Sequence, residues 1–166
     1  MEDMDSYVKL LQPYLLYYNQ FFHKTHSPYQ LKQEFEKSGL WEENSGVMAI
    51  TDEDNKIIGS IWFYKTNLFE AYEISYLIFN EEDRGKGVMS EALKLFSAFM
   101  FAAKNINRLQ VSIPDYHRAS IAVVQKCGYT FEGIARQAVF SNGKYNDLCL
   151  YSLLREECKN LDNLLA

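Results

Sequence analysis

The sequence predicts a mixed α/β fold, and three patterns along the chain support this prediction. Near the N-terminus, apolar residues recur at spacings of three and four, which is typical of an amphipathic helix. From residue 46 onwards, short runs of β-branched and aromatic residues follow one another between turn signals, as strands do. A strongly amphipathic helix at 86–104 lies between two such runs. We therefore expect residues 1–166 to form one domain that combines helices with a sheet.

The composition is that of a protein with a sizeable core. Of the 166 residues, 48% are hydrophobic and 23% are charged, which is far from the composition of disordered chains. The net charge of −5 argues against a nucleic-acid partner, because binding to phosphates requires an excess of lysine and arginine. An acidic chain of this kind favours a cationic or amine-bearing partner.

The cysteines and the absence of long apolar runs bear on the compartment. Cys127, Cys149 and Cys158 are widely spaced and form no zinc-binding pattern, so we expect thiols and no metal site. No run approaches 18 apolar residues, and residues 1–30 lack the pattern of a signal peptide. These features predict a reduced, cytoplasmic protein that binds neither membrane nor nucleic acid.

Two helices are predicted before the sheet. The first covers residues 5–23, and Pro13 is expected to interrupt or kink it because proline lacks the N–H that a helix interior needs. Ser27 followed by Pro28 is typical of a capped helix start, so a second helix is predicted from there to about Lys37.

Strands and two further helices are predicted after Gly46. The first three strands are interpreted as an antiparallel meander, and the Asn142-Gly143 dipeptide predicts a tight hairpin between the last two. The predicted strands are Val47–Ile50, Ile57–Lys65, Ala71–Phe79, Arg108–Ile113, Thr130–Phe140 and Lys144–Leu154, and the helices are 86–104 and His117–Lys126.

A glycine-rich segment, Arg84–Ser90 (RGKGVMS), joins a buried strand to the start of the helix at 86–104. Glycine lets the backbone approach a ligand closely and adopt conformations that other residues avoid. The first N–H groups of a helix and the positive end of its dipole together form an anion site. Arg84 and Lys86 add positive charge there. The segment predicts a pyrophosphate site, the alternative being a helix start with exposed charges and no ligand.

Two better-known phosphate loops are excluded. The segment contains no G-x-x-x-x-G-K-[ST] pattern, so it is not a Walker loop. Its glycine spacing is not G-x-G-x-x-G, and the preceding strand belongs to a meander instead of opening a β-α-β unit. A nucleotide-binding fold of either kind is therefore not expected.

The order R-G-K-G-V-M resembles the R/Q-x-x-G-x-G/A signature of the GCN5-related N-acetyltransferases (GNAT). Ser90-Glu91-Ala92 continues it as in the branch that includes the ribosomal-protein alanine N-terminal acetyltransferases. His117–Ser120 (HRAS) and Gln125–Tyr129 (QKCGY) are similar to the N-x-x-S and E-K-x-G-F motifs of that branch. The resemblance covers about residues 46–157 and rests on motifs in the family's order.

The chain departs from that family at three points. Met89 stands where glycine or alanine is usual, and His117 replaces an asparagine that helps to hold the pantetheine arm. The family opens with a strand, for which residues 1–6 leave no room. We expect this first strand to be missing: the chain is naturally short, starts late, or takes a strand from another subunit of a homodimer.

The resemblance implies a GNAT fold, with a central, mostly antiparallel sheet flanked by helices, and acetyl-CoA as co-substrate. Backbone N–H groups of the strand before the loop would hold the pantetheine arm and the thioester oxygen, and the loop would bind the pyrophosphate. The implied cofactor-binding residues are Leu77, Ile78, Phe79, Arg84, Gly85, Lys86, Gly87, Val88, Met89, Ser90, His117 and Ser120.

Two catalytic residues are implied as well. The family's usual tyrosine falls on Val124, so Ser120, at the position that the N-terminal acetyltransferase branch uses instead, is expected to protonate the leaving thiolate. Glu73, on the strand beside the expected acetyl position, is the first candidate for the base, and Glu132 is the second. The alternatives are a serine bonded to its own helix backbone and glutamates in surface ion pairs.

The implied reaction is direct attack of a primary amine on the thioester of acetyl-CoA. Deprotonating a lysine-like amine at pH 7 costs about 4–5 kcal/mol, whereas an α-amine costs about 1 kcal/mol. A site without an obvious base therefore favours an α-amine such as a peptide N-terminus, and a small-molecule amine stays open as the acceptor. The alternative class of function is a non-catalytic acyl-CoA-binding sensor or regulatory module.

Overall fold

The computed structural model describes residues 2–17, 27–67, 70–141 and 143–165. Its helices are α1 (Glu2–Tyr17), α2 (Pro28–Ser38), α3 (Val88–Ala103), α4 (Arg118–Lys126) and α5 (Asp162–Leu165). Its strands are β1 (Ser45–Thr51), β2 (Ile57–Lys65), β3 (Ala71–Ile78), β4 (Arg108–Pro114), β5 (Thr130–Ser141) and β6 (Lys144–Leu154). The predicted order of helices and strands is confirmed from α1 to β6, and the short helix α5 was not predicted.

The strands form one six-stranded sheet in the order β1-β2-β3-β4-β6-β5. Strand β4 is parallel to β3 and antiparallel to β6, and β6 is antiparallel to β5. Strands β2 and β3 also run in opposite directions, because Thr66 N donates to Ala71 O at one end and Phe79 N donates to Ile58 O at the other. The predicted mixed α/β fold with a mostly antiparallel sheet is confirmed.

Helix boundaries differ from the prediction at α1 and α3. Helix α1 continues through Pro13 to Tyr17, so the proline does not end it. The predicted continuation to residue 23 and the Asn142 position of the hairpin lie outside the described residues. Helix α3 begins at Val88 because Gly87, its N-cap, has a left-handed φ of 87°. Helix α2 has the predicted serine cap, since Ser27 accepts from Gln30 N at 3.2 Å and Gln30 Oε1 accepts from Ser27 N at 2.9 Å.

The chain divides into two compact units, and the first comprises residues 1–63 and 75–84. Within its described part, α1 packs against α2 through an apolar cluster. Burial raises the pKa of Tyr7, a member of this cluster, to about 12, and its hydroxyl donates to Ser60 at 3.4 Å. The buried members of the cluster are Met4, Tyr7, Val8, Leu11, Leu31 and Phe79.

The second unit comprises residues 64–74 and 85–166. Leu93 and Met100 on α3 are fully buried, and α3 and β4 each pack against α4. Arg155 closes the C-terminal end of α3, because its guanidinium donates to Phe101 O at 2.6 Å and to Lys104 O at 2.7 Å. The expectation that residues 1–166 form a single domain stays a prediction.

The three cysteines are free thiols, as expected. Cys149 is buried, and Cys127 and Cys158 are partly exposed. In the described part of the chain, no helix is long and apolar enough to cross a membrane.

Candidate active site

The Arg84 guanidinium is turned back onto the end of β3. Its Nε and Nη2 donate to Ile78 O at 3.2 and 3.1 Å, and Nη2 also donates to Phe79 O at 3.1 Å. These hydrogen bonds fix the backbone at the end of β3. The sequence predicted Arg84 as a charge for the phosphates, and that role stays a prediction. In the structure its guanidinium holds the backbone of residues 78 and 79.

The two glycines of the segment both have left-handed backbone. Gly85 has φ 74° and Gly87 has φ 87°. No atom lies within 4 Å of where a Cβ on Gly85 would be. The backbone conformation, and not a lack of space, is therefore the reason that glycine is favoured at this position. The first hydrogen bond of α3 is Glu91 N to Gly87 O at 3.1 Å, and the N–H groups before Glu91 have no acceptor within the helix. The start of α3 therefore has the donor groups that an anion requires.

The first turn of α3 is anchored by buried side chains. Met89 and Ser90 are both buried, so the side chain that departs from the family pattern packs into the protein. Cys127 Sγ donates to Ser90 O at 3.2 Å and so links the end of α4 to this turn. Burial raises the pKa of Cys127 to about 11, so this cysteine is a protonated thiol at neutral pH.

The structure places a further cation, Lys126, beside the glycine segment, and the sequence analysis did not identify it as a site residue. Lys126 Nζ lies 4.0 Å from where a Cβ on Gly87 would be. Among the described residues, no carboxylate lies within ion-pair distance of this ammonium group. Lys126 lies in the last turn of α4, where a cation is favourable, and an anion at the start of α3 would give its ammonium group a second favourable interaction. Lys126 falls in the quoted QKCGY motif, but only the packing of α4 on α3 brings it to the segment.

His117 and Ser120 lie together at the start of α4. His117 is the N-cap, and its Nδ1 accepts a hydrogen bond from Ser120 N at 3.3 Å. Ser120 is partly exposed in the first turn. The histidine therefore fixes the backbone that carries the predicted acid.

Glu73 lies where the parallel ladder between β3 and β4 ends. The ladder consists of Ala71–Arg108, Tyr72–Leu109 and Glu73–Gln110. Beyond it, Ser112 N donates to Glu73 Oε1 at 2.8 Å, and Gln110 Nε2 donates to Glu73 Oε2 at 2.7 Å. Glu73 is 7% exposed, so its carboxylate is buried. It accepts from Ser112 N at the point where a backbone carbonyl of β3 would accept if the ladder continued.

A polar chain extends from Glu73 across the sheet. Gln110 Oε1 accepts from Arg108 Nε at 3.3 Å, and Arg108 forms a two-pronged ion pair with Glu132, whose Oε1 lies 2.7 Å from Arg108 Nη1. Ser152 Oγ donates to the same Glu132 oxygen at 2.7 Å. Arg108, Gln110 and Ser112 alternate along β4 with buried apolar residues, so they lie on one face of the strand.

The two candidate bases differ in their surroundings. Hydrogen bonds from Arg108 hold the pKa of Glu132 below its usual range, so this carboxylate is a poor proton acceptor. Glu73 is held by neutral donors instead. Tyr64 on β2 lies close enough to Glu73 that this charge, together with burial as the larger cause, raises the pKa of the tyrosine. Glu73 therefore stays the first candidate for the base and Glu132 the second.

The remaining predicted site residues lie on β3 and in the glycine segment. Leu77 and Ile78 end β3, and a Cβ on Gly59 would lie only 2.6 Å from Leu77 O, so β2 requires a glycine at this point. Lys86 and Val88 flank Gly87 at the start of α3. No hydrogen bond joins Glu73 to Ser120 in the described part of the chain.

Residues 1–130 match the acetyltransferase (GNAT) domain family. The chain belongs to this family. A relative in Bacillus subtilis, the putative ribosomal N-acetyltransferase YdaF, is 34% identical over 68% of this chain and 62% of its own length. The chain spans about six tenths of the length of the first curated relatives that it matches, 60% and 62%.

Two solved structures have the same fold. RimL, a ribosomal L7/L12 alpha-N-protein acetyltransferase in complex with coenzyme A, superposes with a TM-score of 0.77 at 21% identity, covering 92% of this chain and 89% of that chain. Spermidine N-acetyltransferase from Vibrio cholerae, in complex with CoA and spermine, has a TM-score of 0.77 at 18% identity, covering 95% and 92%. These likenesses confirm the GNAT fold, whose members use acetyl-CoA as co-substrate.

Proposed function

We propose that the chain is an N-acetyltransferase that transfers the acetyl group of acetyl-CoA to a primary amine, with the α-amine of a peptide as its preferred acceptor. The observation that carries this proposal is the start of α3, where left-handed Gly87 exposes helix N–H groups beside the Lys126 ammonium. The helix N–H groups, the helix dipole and a lysine that has no carboxylate partner among the described residues together favour a doubly charged ligand such as the pyrophosphate of coenzyme A.

In this proposal the segment Gly85–Ser90 binds the pyrophosphate through its backbone. The Arg84 hydrogen bonds to Ile78 and Phe79 support a separate role for the end of β3, which in the family holds the pantetheine arm through main-chain groups. Holding the strand end in one conformation lowers the entropy lost when the arm binds. His117 would contribute through the start of α4, which it caps.

The chemical step needs one proton acceptor and one proton donor. The neutral amine attacks the thioester carbon, the carbon–sulfur bond breaks, and the thiolate leaves. Glu73 would take the proton that the attacking nitrogen loses and later release it to solvent water. Ser120 would pass a proton to the thiolate while it takes one from solvent water, so both residues return to their starting states. Ser120 is exposed enough to reach a ligand, and its backbone is fixed by the His117 cap.

The choice of an α-amine rests on the state of Glu73 and on the relatives. Both oxygens of this buried carboxylate already accept hydrogen bonds, so an acceptor that loses its proton easily suits the site. An α-amine needs about 1 kcal/mol for this at pH 7, against about 4–5 kcal/mol for a lysine-like amine. YdaF and RimL are named for ribosomal acceptors, which supports the same class, whereas the spermidine enzymes keep a polyamine as the alternative.

An acceptor panel tests the proposal. Thiol release from acetyl-CoA would be measured with peptides bearing free or blocked N-termini, with spermidine and with an amino sugar, and CoA affinity would be measured in parallel by calorimetry. We expect turnover with free N-terminal peptides and none with blocked ones. Tight CoA binding without turnover on any amine would favour the sensor class instead, and absence of CoA binding would overturn both.

Two further expectations accompany this function. We propose a cytoplasmic location, because the reaction consumes acetyl-CoA. The homodimer stays a prediction, which sedimentation equilibrium would check.

A further inference from the structure

The Gln110 side chain lies between two charged groups of opposite sign. Its Nε2 donates to Glu73 Oε2 at 2.7 Å, and its Oε1 accepts from Arg108 Nε at 3.3 Å. We propose that Gln110 is a positioning residue that holds the Glu73 carboxylate in the orientation needed for proton transfer. This inference rests on the proposed function, because it assumes that Glu73 is the base.

The polarity of the two hydrogen bonds fixes the glutamine in one orientation. Arg108 Nε can only donate, so the amide oxygen must face it, and Glu73 in its charged form can only accept, so the amide nitrogen must face that side. A flipped amide would lose both bonds at once. The arginine therefore acts on the glutamate through the glutamine.

Arg108 is itself fixed at its outer end. Its two terminal nitrogens donate to the two oxygens of Glu132, and Ser152 donates to one of those oxygens. The hydrogen bonds thus connect β5 and β6 through β4 to β3. Arg108 donates both to Glu132 and to Gln110, and Gln110 donates to Glu73. A planar, two-pronged pair leaves the guanidinium little freedom to rotate away from Gln110.

Glu73 has a second donor that no side-chain substitution removes. Ser112 N donates to Oε1 at 2.8 Å from the backbone of β4. With Gln110 present, the carboxylate is held at both oxygens, and without it the group is held at one and can rotate about that contact. Loss of Gln110 should therefore misalign the base instead of removing it, which lowers the rate of the chemical step and spares the cofactor site.

The test is a double-mutant cycle with Gln110→Met and Glu73→Gln, assayed with acetyl-CoA and the best acceptor of the panel. Methionine keeps the length and apolar stem of glutamine and removes its donor and acceptor. We expect Q110M to lower kcat about 10-fold with KM for acetyl-CoA unchanged, and to lower it no further in the E73Q background. An equal loss in both backgrounds, or no loss in either, would overturn the proposal.

Two controls make the outcome specific. Gln125→Met places the same substitution on an exposed position of α4 and should leave kcat unchanged. Arg108→Lys keeps the positive charge but has no Nε–H fork to orient the amide, so a smaller loss in kcat is expected, again only when Glu73 is present. This variant also serves if Q110M does not fold, as judged by thermal unfolding. A wild-type protein that turns over no amine would defeat the proposed function and this inference with it, whereas wild-type turnover with an additive cycle would defeat this inference alone.

Discussion

The glycine segment Arg84–Ser90 and the polar chain around Glu73 differ in how the fold builds them. The segment is made by consecutive residues, and its shape follows from two left-handed glycines and a helix start. The polar chain draws one to three residues from each of four strands and exists only because the register of β3, β4, β5 and β6 aligns them. The proposed site for the acetyl donor, coenzyme A, is therefore formed by neighbouring residues in the sequence. The proposed site of the proton transfer is formed by residues that are far apart in the sequence.

That contrast predicts that the largest effect will come from the backbone of the segment. Gly87→Leu places a side chain on a residue with φ 87°, which costs about 1–2 kcal/mol of strain and turns the helix N–H groups away from an anion. We expect CoA affinity to fall more than 100-fold by calorimetry, on the order of 3 kcal/mol.

The control for this variant is Gly39→Leu. Gly39 is also left-handed, with φ 64° and open space around it, so the substitution costs similar strain at the end of α2. Equal loss of CoA affinity in both variants would mean that the effect comes from reduced stability and not from the segment, and the contrast would break.

A smaller loss of CoA affinity is predicted when Lys126, which lies beside the glycine segment, is replaced. Lys126→Ala should weaken CoA binding about 10-fold at low ionic strength, and the loss should shrink as salt is added because screening reduces the interaction. Acetyl-pantetheine, which lacks the pyrophosphate, should bind both proteins equally. Lys94→Ala is the matched control, since this lysine is also close enough to influence Cys127 but lies further along α3. A loss of acetyl-pantetheine binding would place Lys126 elsewhere in the mechanism.

The smallest effect is predicted at the outer end of the polar chain. Glu132→Gln removes the charge from a partly exposed pair and should lower the free energy of unfolding at pH 7 by about 0.5–1 kcal/mol. The pKa of Glu132 is lowered in the folded state, so its contribution is present above the unfolded value of about 4.3 and is lost as the pH falls through the folded one.

Wild-type and E132Q proteins should therefore converge in stability at acidic pH, as followed by urea unfolding between pH 7 and pH 3. Exposed Glu156→Gln is the control and should change little at either pH. A difference that persists at pH 3 would show that the pair acts through packing instead of charge.

The secondary structure was predictable because its signals are local. Ser27-Pro28 and the glycine at residue 87 mark helix starts within a few residues, and the bounds of β2 and β6 agree with the prediction. The exception is Pro13, which was expected to interrupt or kink the helix and does not interrupt it. Local sequence signals indicate which secondary structure a segment favours, and tertiary contacts can override that tendency.

The partners of the candidate site were less predictable. Alternation along R-L-Q-V-S-I indicates that Arg108, Gln110 and Ser112 share a face, but no sequence pattern says that the face meets Glu73. Nor does the sequence say that the Arg84 guanidinium donates to the carbonyl groups at the end of β3. Side-chain direction at such positions depends on neighbours that are distant in the chain.

Patterns within a few residues were enough to predict the order of the main elements, the family and a candidate anion site at the start of α3. Contacts between distant parts of the chain bring Lys126 beside Gly87 and place Glu73 at the end of the parallel ladder under two neutral donors. The physical reason is that helices and tight turns are fixed by contacts within one stretch of chain. Strand register and helix packing are fixed by burial across the whole sheet.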